Sequence, residues 1–136
     1  MLFSKNIYQP QHIEVKESSL HGRGVFARKK ILKGSLIEQA PLIFLSDDEK
    51  ITLRFTQLFQ YYFLLGNLET PAAFSFGYAS FYNHSSEANA FYTFSRKNNV
   101  INIYAYKAIA PDSEITINYN GKPGDRREVY FPNSDQ

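Results

Sequence analysis

The 136-residue chain has no cysteine and no tryptophan, one methionine and only three histidines. Without thiols, disulfide frameworks and thiolate zinc sites are excluded, and cysteine usage carries no redox information. His12, His21 and His84 form no His/carboxylate spacing that specifies zinc, so no metal is expected. No stretch approaches the ~20 apolar residues of a membrane span, and Met1-Leu2-Phe3-Ser4-Lys5-Asn6 lacks the apolar core of a signal peptide. The reading is a soluble chain, cytoplasmic, nuclear or delivered into a host, with no membrane partner. A net charge of +2 is too small to require nucleic acid, and Arg28-Lys29-Lys30 reads as a solvated turn.

What the chain has instead is aromatic residues, 10 Tyr and 12 Phe, which suit strands and pockets better than solvated helices. The expectation is one domain, mainly β with one or two short helices, because a chain of this length supports a single core. Residues 1–11 read as an N-terminal arm, 12–131 as the domain and 132–136 as a tail. So small a domain gains core by pairing, so a homodimer is among the expected states.

His12-Ile13-Glu14-Val15-Lys16 alternates as a half-buried strand does, and after a Ser/Gly turn Val25-Phe26-Ala27 returns as the second arm of a hairpin. Pro41 splits Leu36–Ala40 from Leu42–Leu45, which predicts an edge or a bend and not a central strand. Asp47-Asp48-Glu49 predicts a helix start, with the helix carried over Ile51–Leu65. Residues 66–82 read as mostly irregular. Ala90–Ser95 and Val100–Tyr106 flank Arg96-Lys97-Asn98-Asn99, where Asn tolerates the positive φ of a tight hairpin. Pro111-Asp112-Ser113 turns the chain into Ile115-Thr116-Ile117.

Three polar clusters interrupt this pattern. Gly22-Arg23-Gly24 fails the dinucleotide fingerprint, since a strand-like Val-Phe-Ala follows it, but its glycines let a backbone approach a small molecule closely. Asn83-His84-Ser85-Ser86-Glu87-Ala88-Asn89 carries neither a metal set nor a nucleophile elbow. Glu114-Ile115-Thr116-Ile117-Asn118-Tyr119 ends a strand in a tyrosine before an Asn120-Gly121 turn. Taken alone, Glu114 reads as a solvated turn residue, and Tyr78 and Tyr82 as packing.

Together and in this order, the clusters resemble the motifs of the SET-domain protein lysine methyltransferases, in the short bacterial and viral form without zinc-binding flanking segments. The resemblance spans about residues 12–131. It implies a β-clip of small sheets with a knot-like C-terminal crossing, S-adenosyl-L-methionine as cofactor, and methyl transfer to a lysine of a protein or peptide, at family level a histone tail. It also implies roles. Arg23 and Gly24 present backbone to the cofactor, Asn83 and His84 hold its amino-acid and adenine ends, and Tyr130 and Phe131 close an aromatic lid. Tyr119 is implied as the catalytic residue, touching both cofactor and amine. Tyr61, with Tyr62 as the other register, walls the lysine channel, to which Tyr78, Tyr82 and Ile117 add. Ala88 stands where the family has Pro, and Asn118 where Asp is common. Ile117 occupies the position linked to the number of methyls added. Two other readings compete: a SET-like peptide-binding module without catalysis, and an aromatic β domain that stacks single-stranded nucleic acid. The second fits poorly, because the aromatics alternate with apolar neighbours and the basic residues line no single strand face.

Overall fold

Strand-forming sequence dominates the fold, in which 39% of the described residues are strand and 12% helix. The structure is a computed structural model that describes residues 7–64 and 72–127; Tyr130 and Phe131, and with them the expected lid, lie outside the described residues. One sheet has four strands in the order β1 (Ile13–Glu17), β2 (Arg23–Ala27), β9 (Glu114–Ile117), β6 (Asn83–His84). The other has five, in the order β4 (Tyr62–Leu64), β5 (Ala72–Ser75), β3 (Leu36–Phe44), β8 (Val100–Ala105), β7 (Ala90–Ser95). Both expected hairpins form. Val15 faces Val25 in the first, and in the second Asn99 takes φ 54° at the turn. Asp112 takes φ 65° in the turn that feeds β9.

Pro41 departs from expectation. It lies inside β3, a nine-residue strand with neighbours on both sides. The reason is a division of labour along the strand. β8 pairs with residues 36–41 and β5 with residues 42–44, so the proline, which has no N–H, sits where one ladder ends and the next begins. Its carbonyl still accepts from Phe76 N–H at 3.0 Å, and the next residue, Leu42, donates to Asn99 O at 2.7 Å.

The helix is shorter than expected. α1 covers only Asp47–Leu53, started by a capping box in which Ser46 and Glu49 exchange side-chain and backbone hydrogen bonds. None of its residues is buried, so no packed face carries it past the first turns. Thr56 caps a 3₁₀ turn at Gln57–Gln60, and the aromatic run beyond becomes β4. Within the stretch read as irregular, Ala72–Ser75 forms β5 and Ala79–Phe81 a second 3₁₀ turn.

The core lies between the two sheets and is built largely of β-branched side chains. Val25, Ile101, Ile103, Ile115 and Ile117 are each fully buried in one cluster. Truncating one leaves a cavity that its neighbours fill only in part. Ile103→Ala is expected to cost about 2–5 kcal/mol in urea unfolding; a loss below about 1 kcal/mol would show that the site can collapse.

Candidate active site

Two short strands bring the polar clusters together. β6 runs parallel to β9, with Asn83 beside Thr116 and His84 beside Ile117, and β9 is also antiparallel to β2, with Val25 opposite Ile115. Three segments distant in sequence therefore meet at one edge.

Asn83 joins them. Its Nδ2 donates to His21 O at 3.0 Å, to Arg23 O at 3.2 Å and to Glu114 Oε1 at 2.8 Å. Glu114 Oε2 accepts from the Ser18 hydroxyl at 2.9 Å, so the carboxylate also grips the loop ahead of β2. Glu114 is thus a part-buried cross-link and not the solvated turn residue its position suggests. Gly24 makes this possible: a Cβ there would overlap Glu114 Oε1 and lie 3.0 Å from Asn83 Nδ2. Among the described residues no group donates to Asn83 Oδ1.

Asn89 extends the same edge with a side chain. Its amide donates to Glu114 O and accepts from Thr116 N–H, both at 2.9 Å, as a neighbouring strand would. Ala88 beside it is buried. Past β9 the chain turns back over this loop. Ser85 N–H donates to Ile117 O at 3.0 Å, Gly124 N–H to Ser86 O at 2.7 Å, and Arg126 pairs with Glu87 at 2.6 Å. This is the expected C-terminal crossing.

Tyr119 stands where the two segments meet. Its backbone N–H donates to His84 Nδ1 at 3.0 Å, its hydroxyl donates to Tyr82 O at 2.7 Å, and its ring lies 5.2 Å from that of His84. Burial, with the Glu114 charge second, pushes its hydroxyl pKa up to about 12. At neutral pH it is a neutral hydrogen-bonding group and no base. Burial lowers the His84 pKa, in keeping with an Nδ1 that must accept.

The SET-domain sequence profile matches residues 22–120. The chain belongs to the SET-domain family. It is 28% identical over 108 residues, 79% of this chain and 72% of the relative, to a Schizosaccharomyces pombe protein named histone-lysine N-methyltransferase, H3 lysine-37 specific. It is also similar to the crystal structure of a candidate histone methyltransferase of Plasmodium falciparum, with 32% identity, TM-score 0.66, and coverage of 82% of this chain and 95% of that one. A Chaetomium thermophilum Polycomb Repressive Complex 2 structure, described as bound to S-adenosylmethionine, shares the fold at TM-score 0.67 and 21% identity over 82% of this chain and 15% of that one. The described residues of this SET domain hold no group of His, Cys, Asp and Glu able to bind a metal, and no helix long and apolar enough to cross a membrane.

Of the predicted SET-site residues, Arg23, Gly24, Asn83, His84 and Tyr119 come together through the bonds above. Ile117 is fully buried in the core directly below. Tyr82 is also buried, as the packing reading has it, but its carbonyl reaches Tyr119. Tyr78 and Tyr61 are exposed, and the Tyr61 carbonyl accepts from Ser80 in the turn between Tyr78 and Tyr82. Tyr62 lies in β4 opposite Phe74. Residues missed from sequence are Ser18, which binds Glu114, and Glu38, which binds Tyr82; neither carries a local signal that sets it apart.

Asn118 explains its own departure from the family's usual Asp. It is buried, donates through Nδ2 to Asp125 O at 2.8 Å and accepts from Asn120 N–H at 2.9 Å. Only the first bond needs an amide, since a carboxylate would set oxygen against oxygen. Asn118→Asp is expected to destabilise by roughly 1–3 kcal/mol, less at acid pH where the new carboxyl is protonated; an unchanged thermal midpoint would contradict this.

The lowered His84 pKa gives a second test. The native state holds fewer protons at this imidazole than the unfolded chain, so its contribution to stability is present above the ordinary value of 6.5 and is lost as pH falls through the lowered one. Unfolding free energy measured across that window should fall toward acid pH in the wild type and fall less in His84→Gln. Parallel curves for the two would contradict it.

Proposed function

We propose that this SET domain transfers a methyl group from S-adenosylmethionine to the side-chain amine of a lysine in a protein, with a histone tail as the substrate class suggested by its relatives' names. The observation that carries the reading is the Tyr119 hydroxyl, neutral, half-buried and aimed by the Tyr82 carbonyl. The residues present fit the cofactor's amino-acid end. Asn83 Oδ1 is an acceptor for its ammonium, and the exposed Arg23 is a cation for its carboxylate. When bound, the cofactor supplies an activated methyl on a sulfonium that leaves as a neutral thioether, so the chemistry needs no metal.

The protein's tasks are then deprotonation and alignment. A free lysine ammonium has a pKa near ~10.4, and burial disfavours its charged form, so entry into an apolar channel removes part of the cost of freeing the lone pair. Since the Tyr119 proton is given to Tyr82 O, the phenolic oxygen acts as acceptor. It takes an N–H of the neutral amine and leaves the nitrogen lone pair for attack. Such alignment is worth several kcal/mol. The exposed Tyr61 and Tyr78 side chains supply the aromatic wall in this reading.

Incubation with labelled S-adenosylmethionine and a core-histone mixture, followed by peptide mass analysis, should place label on lysine and report the number of methyls. Tyr119→Phe should reduce transfer by about 100-fold or more while cofactor affinity by calorimetry stays within about twofold. Equal turnover by mutant and wild type would remove Tyr119 from the chemistry.

A further inference from the structure

Glu38 lies on β3, outside all three motif clusters, yet it is 1% exposed and both its oxygens are used. Oε2 accepts from Tyr78 N–H at 2.7 Å and Oε1 accepts from the Tyr82 hydroxyl at 2.8 Å. These donors are the two ends of the 3₁₀ turn Ala79–Phe81, whose N-terminal cap has no side-chain hydrogen bond of its own. Gly77, at φ +70°, lets the turn come this close; a Cβ there would lie 2.7 Å from Glu38 Oε2. The carbonyl at the end of the turn, Tyr82 O, is the acceptor that fixes the Tyr119 hydroxyl.

We propose that Glu38 is a positioning residue for Tyr119: by pinning both ends of the 78–82 turn, it sets the Tyr82 carbonyl that aims the Tyr119 hydroxyl. A carboxylate is suited to this because both ends present donors and both of its oxygens accept. Glutamine offers one acceptor and one donor. If its oxygen takes Tyr78 N–H, its NH₂ faces the Tyr82 hydroxyl, which must turn round to accept; the opposite flip sets N–H against N–H. One pin is reversed or lost in either case. The arrangement is held at a cost, since burial raises the Glu38 pKa against the two hydrogen bonds that lower it. A core with no need for a carboxylate here would be cheaper with an apolar side chain.

The catalytic meaning of this link rests on the methyl-transfer reading, whereas the pinning itself does not, so the test reads both. Wild type and Glu38→Gln are compared by tyrosine ¹³Cζ NMR, with the Tyr119 signal assigned from Tyr119→Phe, and by steady-state methylation of a lysine peptide. The expected result is a displaced Tyr119 signal and a kcat lower by on the order of tenfold to a hundredfold, with peptide KM and cofactor affinity within about twofold. An unmoved Tyr119 signal overturns the proposal whatever the activity. So does a kcat unchanged beside an active wild type, or one that falls only with the folded fraction or with cofactor affinity. If wild type transfers no methyl, the methyl-transfer reading fails and the NMR comparison still decides the pinning. If Glu38→Gln does not fold, Tyr82→Phe, which keeps the Tyr78 bond and removes the other, is read in the same way.

Discussion

The site depends on one shared hydrogen-bonding group, the side-chain amide of Asn83. Its nitrogen touches the backbone at His21 and Arg23 and the carboxylate of Glu114, so it ties β6 to the start of β2 and to β9, where the β2–β9 and β6–β9 ladders are only two residue pairs each. A buried donor left without acceptors costs more than the bond contributes when made, so the three segments are selected together or not at all. Gly24 belongs to the same constraint, because a methyl group there would occupy the space of the carboxylate. The positions of β2, β6 and β9 relative to one another follow from a few polar atoms as much as from the apolar cluster beneath them.

On that frame the two tethers of Tyr119 have different tasks. The bond from its N–H to His84 fixes the backbone, and the bond from its hydroxyl to Tyr82 O fixes the direction of the phenol. A hydroxyl whose proton is already given away, in surroundings that push its ionisation up to about 12, is confined to accepting. In the proposed methyl transfer a substrate lysine would therefore lose its proton elsewhere, by desolvation and exchange with water.

Local chemistry made much of this legible. The hairpin at Asn98-Asn99, the turn at Asp112 and Gly22 before β2 follow from backbone preferences that neighbours do not override. Fold class came from three motifs in register, whose meaning is collective, and the fold brings Arg23, Gly24, Asn83, His84 and Tyr119 of those motifs together. What escaped was set by contacts across the sheet. Pro41 inside a central strand depends on where β5 and β8 start and stop, which a single strand's pattern does not encode. The helix from Asp47 ends early because nothing packs on it. Glu38 and Ser18 carry ordinary local signals, and only their partners at Tyr82 and Glu114, 44 and 96 residues away, give them a role.

That last separation bears on how the protein is made. During synthesis the N-terminal hairpin and the Asn83 loop leave the ribosome well before β9, and until Glu114 arrives the Asn83 amide lacks its carboxylate and Tyr119 does not yet exist as a folded element. Long-range pairings of this kind form slowly and leave strand edges open in the interval. The arrangement around Asn83 and Tyr119 is therefore completed late in elongation, when β9 slots between the edges of β2 and β6.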